Sequence, residues 1–227
     1  MNNQADMIDL NRDKTQISSL NRTMYFFIKR LFDVLMAIIG IIAMIPIALI
    51  VKVSYMLTGD FDSIFYKQKR IGKNGEEFDF YKFRSMIPNA DKVLKELLKN
   101  DKKLAKEYKI NKKLEHDPRV TKMGNILRKT SLDELPQVLN IIKNDMSVIG
   151  NRPYLPREKE DMGEYFDDIT KTKPGLTGLW QVSGRSDVTF EGRLRLEREY
   201  SKKQSLKMDV KIFFKTFKAV LFSKGAK

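Results

Sequence analysis

The densest run of reactive side chains in the sequence is LRKTSLDELPQ, Leu127 to Gln137. Asp133 and Glu134 stand side by side there, with Arg128 and Lys129 shortly before them. A carboxylate can attack a phosphoryl group when nearby cations or a hard metal ion offset the repulsion between anions, so this cluster suits phosphoryl chemistry. The same letters also have an architectural reading. Ser131 and Glu134 match a capping box, and Pro136 is tolerated in the first turn of a helix. Asp60-Phe61-Asp62 has the D-x-D spacing with which many nucleotide-sugar glycosyltransferases hold a divalent metal, although three letters recur often by chance. Lys82 and Arg84, in YKFRS, follow a strand-like stretch and either bind phosphate or line a solvated edge. Arg152, in NRP, and Arg185, in SGR, lie in loops, where arginines recognise anions. His116, in HDPR, reads as a surface or turn residue rather than a catalytic base.

Composition narrows the options further. The 227 residues include no cysteine and one histidine. A disulfide scaffold, a thiolate nucleophile and cysteine-based zinc or iron–sulfur sites are excluded, and a Ser-His-Asp triad is disfavoured. Forty-three Lys and Arg against 29 Asp and Glu leave a formal charge of +14. Such a surface attracts anionic lipid or nucleotide, and no recognised nucleic-acid motif accompanies it.

The elements that must position these groups begin with Val34–Val51, an uncharged apolar run of 18 residues. That is at the lower edge for a spanning helix. Pro46 lies inside the run and disfavours a straight helix, since it donates no N–H and clashes with the preceding turn. Lys29 and Arg30 before the run and Lys52 after it lack the asymmetry that orients a span. A re-entrant helix is therefore expected, with a plain transmembrane anchor as the alternative. Residues 1–23 read as a mobile polar tail. Aromatic and β-branched residues on both sides of Asn74-Gly75 predict a hairpin. Residues 89–113 read as one or two charged helices, Ser131 to Lys143 as a helix, MSVIG as extended, KPGLTGLWQVSGRSD as an ordered loop, and 189–203 as a helix. In the last segment Leu206, Val210, Phe213, Phe214, Phe217, Val220 and Leu221 share one helical face, opposite Lys207, Lys211, Lys215 and Lys218. That pattern suits an in-plane membrane helix, or else a helix packed on the core. The expected fold class is mainly α with a small β-hairpin, an α+β arrangement.

In order along the chain, KRLFD, KQKRIGKNGEEFDFYKFRSM, DPRVTKMGNILRKTSLDELPQVLNIIKNDMSVIGNRP and KPGLTGLWQVSGRSD resemble the bacterial sugar transferase family, the monotopic polyprenyl-phosphate phosphoglycosyl transferases. The likeness runs from Lys29 to about Leu221 and is greatest to the subgroup that transfers galactose or glucose 1-phosphate. It implies a Pro-broken re-entrant helix (24–57), a cytoplasmic catalytic domain (58–204) and an in-plane C-terminal helix (205–227), at the cytoplasmic face of a bacterial inner membrane. It implies transfer of a sugar 1-phosphate from a UDP-sugar to polyprenyl phosphate with Mg2+, on a path to extracellular polysaccharide. Asp133 would be the nucleophile and Glu134 its partner, the two also holding the metal. Lys82, Arg84, Arg128, Arg152, Gln181 and Arg185 would bind substrate. Anionic lipid is an expected partner, nucleic acid is not, and a homodimer stays open. One position departs from the family pattern: its usual Pro-Arg-Pro reads Asn151-Arg152-Pro153 here.

Overall fold

The computed structural model describes residues 2–111, 114–184 and 188–222, with side chains at 21–109, 114–184 and 188–218. It is mainly helical. The first helix, α1, runs from Asn2 to Met56 and so includes the segment expected as a tail. Helical backbone continues through Pro46, where the sequence led us to expect a kink or break. Among the described residues one stretch, Asn21–Met56 of α1, is long and apolar enough to cross a membrane.

This helix is two-sided. Asp33, Ala37, Met44, Val51 and Tyr55 are buried against the rest of the chain, while Leu35, Ile38, Ile42, Ile45, Leu49 and Val53 stay exposed. Ala37, Met44 and Val51 fall at seven-residue steps, close to two helical turns, so one side of α1 faces the domain from Asp33 to Tyr55. Its basic flanks are not free, contrary to the simple charge-count reading. Lys29 Nζ lies 2.7 Å from Asp209 Oδ2. Arg30 donates to the carbonyls of Ile141 at 2.7 Å and Ile142 at 3.1 Å. Lys52 Nζ donates to the carbonyl of Phe61 at 2.9 Å.

The expected hairpin is present. Strands β1 (Phe65–Ile71) and β2 (Glu77–Phe83) pair antiparallel, with Tyr66 opposite Lys82, Gln68 opposite Phe80 and Arg70 opposite Phe78. The turn requires positive φ at two successive residues, and Asn74 (58°) and Gly75 (81°) supply it, as residue types that tolerate the left-handed region. The charged segment forms α2 (Ala90–Asn100) and α3 (Lys102–Asn111). After α4 (Lys122–Lys129) comes a 3-10 turn, Leu132–Gln137, that leads into α5 (Val138–Ile142). The single helix expected over Ser131 to Lys143 is thus split, since the tighter turn carries Pro136. The extended stretch after α5 is β3 (Ser147–Ile149), paired in parallel with β4 (Gly175–Thr177) from the glycine-rich run. Between them lie the short helices α6 (Lys159–Met162) and α7 (Phe166–Thr170). The chain then forms α8 (Phe190–Lys203) and α9 (Leu206–Phe222).

Helix α9 divides its apolar residues between two settings. Ile212 is buried and Phe213 packs on the core, its ring 5.4 Å from that of Phe32 in edge contact. Phe214 and Phe217 remain 66% and 58% exposed. Core packing and an exposed apolar strip therefore coexist on one helix.

Candidate active site

Ser131 sits in the left-handed region at φ 58° and makes no side-chain cap, so the capping-box reading of SLDE fails. The residue that caps is Thr121, whose hydroxyl accepts from Gly124 N at 2.8 Å and starts α4. Gly124 is required for closeness: a Cβ there would stand 1.9 Å from the Ser85 carbonyl. That contact brings α4 onto the end of β2 and lets Arg128 Nε donate to Ser85 Oγ at 3.0 Å.

The dyad turn is held against β2 by a buried amide. Asn140 is fully buried; its Oδ1 accepts from Tyr81 N at 3.1 Å and its Nδ2 donates to Asp79 O at 2.6 Å. Asn140 thereby supplies two of the hydrogen bonds that a neighbouring strand would give, satisfying backbone groups of β2 that would otherwise be costly to bury. Lys82, on the same strand, meets the dyad as a result. Its ammonium lies 2.8 Å from Glu134 Oε1 and 3.4 Å from Asp133 Oδ2.

The two carboxylates differ in setting. Asp133 has 14% of its side chain exposed and Glu134 44%. Burial pushes the Asp133 carboxyl above the usual range, with Lys82 opposing and the Glu134 charge adding to the rise. A buried, more basic carboxylate aimed at an anion is a better nucleophile than a solvated one, provided cations hold it ionised. Lys82 already offers one.

The two adjacent carboxylates also fit Mg2+ by donor chemistry. The ion takes hard oxygen ligands and commonly uses one or two carboxylates completed by substrate phosphate and water. Asp133 and Glu134 would hold it. No cluster of three or more metal-ligating side chains occurs among the described residues.

Not every residue singled out in the sequence reaches this place. Arg84 is engaged elsewhere: its Nη1 and Nη2 donate to Asp60 Oδ2 and Oδ1 at 2.8 and 2.9 Å, and Nε donates to Ser63 O at 2.7 Å. The pair joins the loop after α1 to β2. It also occupies both oxygens of the first carboxylate of the D-x-D, which weakens that motif as a metal site. Gln181 donates to the Leu176 carbonyl at 3.3 Å, within its own loop. Arg185 lies outside the described residues. The turn that bears Arg152 is held in spite of the departure beside it. Asn151 is buried and its Nδ2 donates to Ile169 O, Thr172 Oγ1 and Ser201 Oγ at 2.7 to 3.1 Å, pinning the turn that a proline would have stiffened. The Arg152 N–H donates to Glu197 Oε1 at 2.9 Å.

Glu197 and Arg70 were missed in the sequence. Glu197 is 1% exposed, and burial raises its carboxyl to about 7 against the weaker pull of its hydrogen bonds and of Arg152 and Arg193. It is one of three glutamates in α8, with Glu191 and Glu199, and sequence alone does not separate it from those surface residues. Arg70 was legible in principle, because strand alternation across the Asn74-Gly75 turn puts it on the face of Lys82.

Comparison with known proteins shows the family. The bacterial sugar transferase family model matches residues 24–223. The exopolysaccharide production protein ExoY of Sinorhizobium fredii is 46% identical over 198 residues, covering 87% of each chain. The undecaprenyl-phosphate galactose phosphotransferase of Salmonella typhimurium is 44% identical over 200 residues, 88% of this chain and 42% of that protein. The UDP-glucose:undecaprenyl-phosphate glucose-1-phosphate transferase of Escherichia coli is 32% identical over 211 residues, 89% of this chain and 41% of its own length. The chain thus spans less than half of these last two relatives. It belongs to the bacterial sugar transferase family.

Proposed function

We propose that this protein moves a hexose 1-phosphate, of the galactose or glucose type, from a UDP-sugar to polyprenyl phosphate through a covalent intermediate on Asp133. The observation that carries this reading is the buried Asp133 carboxylate with Lys82 beside it, on a turn packed against the apolar helix α1. Asp133 forms the bond to the β-phosphorus while the bridge to the α-phosphate breaks, and UMP leaves. The phosphate of the lipid acceptor then attacks the same phosphorus and releases Asp133. Lys82 offsets negative charge as the anions approach. Glu134 holds Lys82 at the Asp133 side, and Arg128 adds positive charge from the rim. Mg2+, when bound at the dyad, supplies further neutralisation of the phosphate charge. The product fits an early membrane step in the synthesis of exopolysaccharide, capsule or O-antigen, as the names of the relatives suggest.

The same reading places the protein in the cytoplasmic face of a bacterial inner membrane without crossing it. Both ends of the apolar part of α1 bond to one domain, through Lys29 and Arg30 at one end and through Lys52 and the Tyr55 hydroxyl, which donates to the Arg84 carbonyl, at the other. A helix crossing the bilayer would carry those ends to opposite sides. The exposed apolar side of α1 and the exposed phenylalanines of α9 supply a membrane-facing surface, and the net positive charge favours anionic lipid.

The test uses UDP-sugar labelled in the β-phosphate, offered to the protein in detergent without acceptor. Label should stay on the wild-type chain and be absent from Asp133→Asn, and UMP should be the nucleotide released. Release of UDP would instead mean direct sugar transfer and would overturn the mechanism.

A further inference from the structure

We propose that Arg70 and Arg152 form a clamp for the α-phosphate of the donor, the phosphate that departs with the nucleoside. This rests on the phosphosugar-transfer reading above and adds to it a residue and a place for the leaving group.

The hairpin register puts Tyr66, Gln68, Arg70, Phe78, Phe80 and Lys82 on one face. The Arg70 guanidinium is 5.2 Å from the centroid of the Phe80 ring, and the Lys82 ammonium is 5.7 Å from the same centroid. Two cations thus converge on one aromatic ring, one of them already beside Asp133. The end of β1 is stitched to the loop that bears Arg152: Ile71 N donates to Tyr154 O at 2.8 Å, and Arg70 Nη1 donates to Pro153 O at 3.1 Å. Arg70 Nη2 is steadied by Gln68 Oε1 at 2.8 Å.

Neither guanidinium has a carboxylate partner among the described residues, although three carboxylates lie close. Glu134 is engaged with Lys82, Glu158 Oε2 accepts from Leu155 N at 2.6 Å, and Glu197 Oε1 holds the Arg152 backbone. The Nε atoms of both arginines are buried without a hydrogen-bond partner. Burial, followed by the charge of Arg152, brings the Arg70 guanidinium down to about 10. Two neighbouring guanidinium groups, each with a buried Nε that has no partner, form a place that an anion would complete. A phosphate accepts from such forks in the bidentate geometry that arginine favours.

The assignment to the α-phosphate follows from the order of groups. The phosphorus under attack must lie against Asp133, whose nearest cation is Lys82. The neighbouring phosphate of the diphosphate then extends across Phe80 towards Arg70 and Arg152.

The experiment is calorimetric titration of the full chain in detergent with UMP and, separately, with uridine. Arg70→Gln should weaken UMP binding about tenfold or more while leaving uridine binding unchanged, because a charge-assisted fork is lost and the base contacts are not. Arg152→Gln, which removes a guanidinium that makes no side-chain hydrogen bond among the described residues, should do the same and serves if Arg70→Gln does not fold. UMP affinity within about twofold of wild type in either folded variant would overturn the clamp, as would equal losses for UMP and uridine. Selective loss of UMP binding alongside an absence of β-phosphate label on wild-type protein would support the clamp and sink the covalent mechanism alone.

Discussion

Arg30, on the apolar helix, donates from Nη1 at 2.7 Å to the carbonyl of Ile141, in the short helix that follows the Asp133-Glu134 turn. A basic residue that topology arguments would assign to lipid headgroups is instead a cap for the helix that follows the Asp133-Glu134 turn. Lys29 does the equivalent for α9 through Asp209, and it also donates to the Ile149 carbonyl at 2.8 Å at the end of β3. The apolar helix is therefore joined to α5, β3 and α9 by side-chain bonds rather than by a loose tether.

Replacement of Arg30 with Met should keep most of the apolar packing and remove two charge-assisted hydrogen bonds, to the carbonyls of Ile141 and Ile142. A cost of about 1–3 kcal/mol is expected for the loss of hydrogen bonds to a charged group. Turnover in detergent should fall together with the urea midpoint, although Arg30 touches no substrate. Unchanged stability and activity would show the cap to be dispensable.

The proposal that α1 does not cross the bilayer is checked by labelling. The chain has no native cysteine, so single cysteines at Asn21 and Ser63 report without background. Both should react from the cytoplasmic side of sealed vesicles. Reaction from opposite sides would establish a spanning helix.

Helix α9 should separate membrane seating from folding. Phe214→Ser with Phe217→Ser removes exposed apolar area, and at about 25 cal/mol per Å² the loss of vesicle binding should reach a few kcal/mol with little change in stability. Phe213→Ser should behave in the opposite sense, lowering stability by about 2 kcal/mol through the lost edge contact and core packing. Identical behaviour of the two sets would place all three rings in one environment.

Glu197 predicts a pH dependence with a definite sign. Its folded pKa, about 7, lies above the ordinary value of 4.5. The folded state therefore holds the proton more tightly, and the stability this contributes is complete below pH 4.5 and lost as pH rises through about 7. Glu197→Gln retains an acceptor for the Arg152 N–H and has no charge to bury. Between pH 5 and 8 the variant should gain about 1–3 kcal/mol relative to wild type by denaturant unfolding. Parallel pH profiles for the two proteins would mean that the carboxylate is already ionised in the fold.

What the sequence determined by itself was local. Eighteen uncharged apolar residues specify a membrane-seeking helix whatever surrounds them, and Asn74-Gly75 between strand-like runs specifies a hairpin because few residues tolerate two successive positive φ angles. Asp133 and Glu134 are adjacent in the chain, so their pairing needed no fold to be seen. The partners of these groups were decided by tertiary structure. Lys82 reaches Asp133, 51 positions further along the chain, because Asn140 binds the backbone of β2, and Arg84, two residues on, is drawn instead to Asp60. Ser131 has the letters of a cap yet adopts a left-handed conformation that removes it from that role. Arg70 and Glu197 look like surface charges in a basic chain until register and burial place one beside Arg152 and the other beneath it. Charge spacing along a chain is a local property, whereas desolvation and the meeting of long side chains depend on which surfaces close together, and only packing decides that.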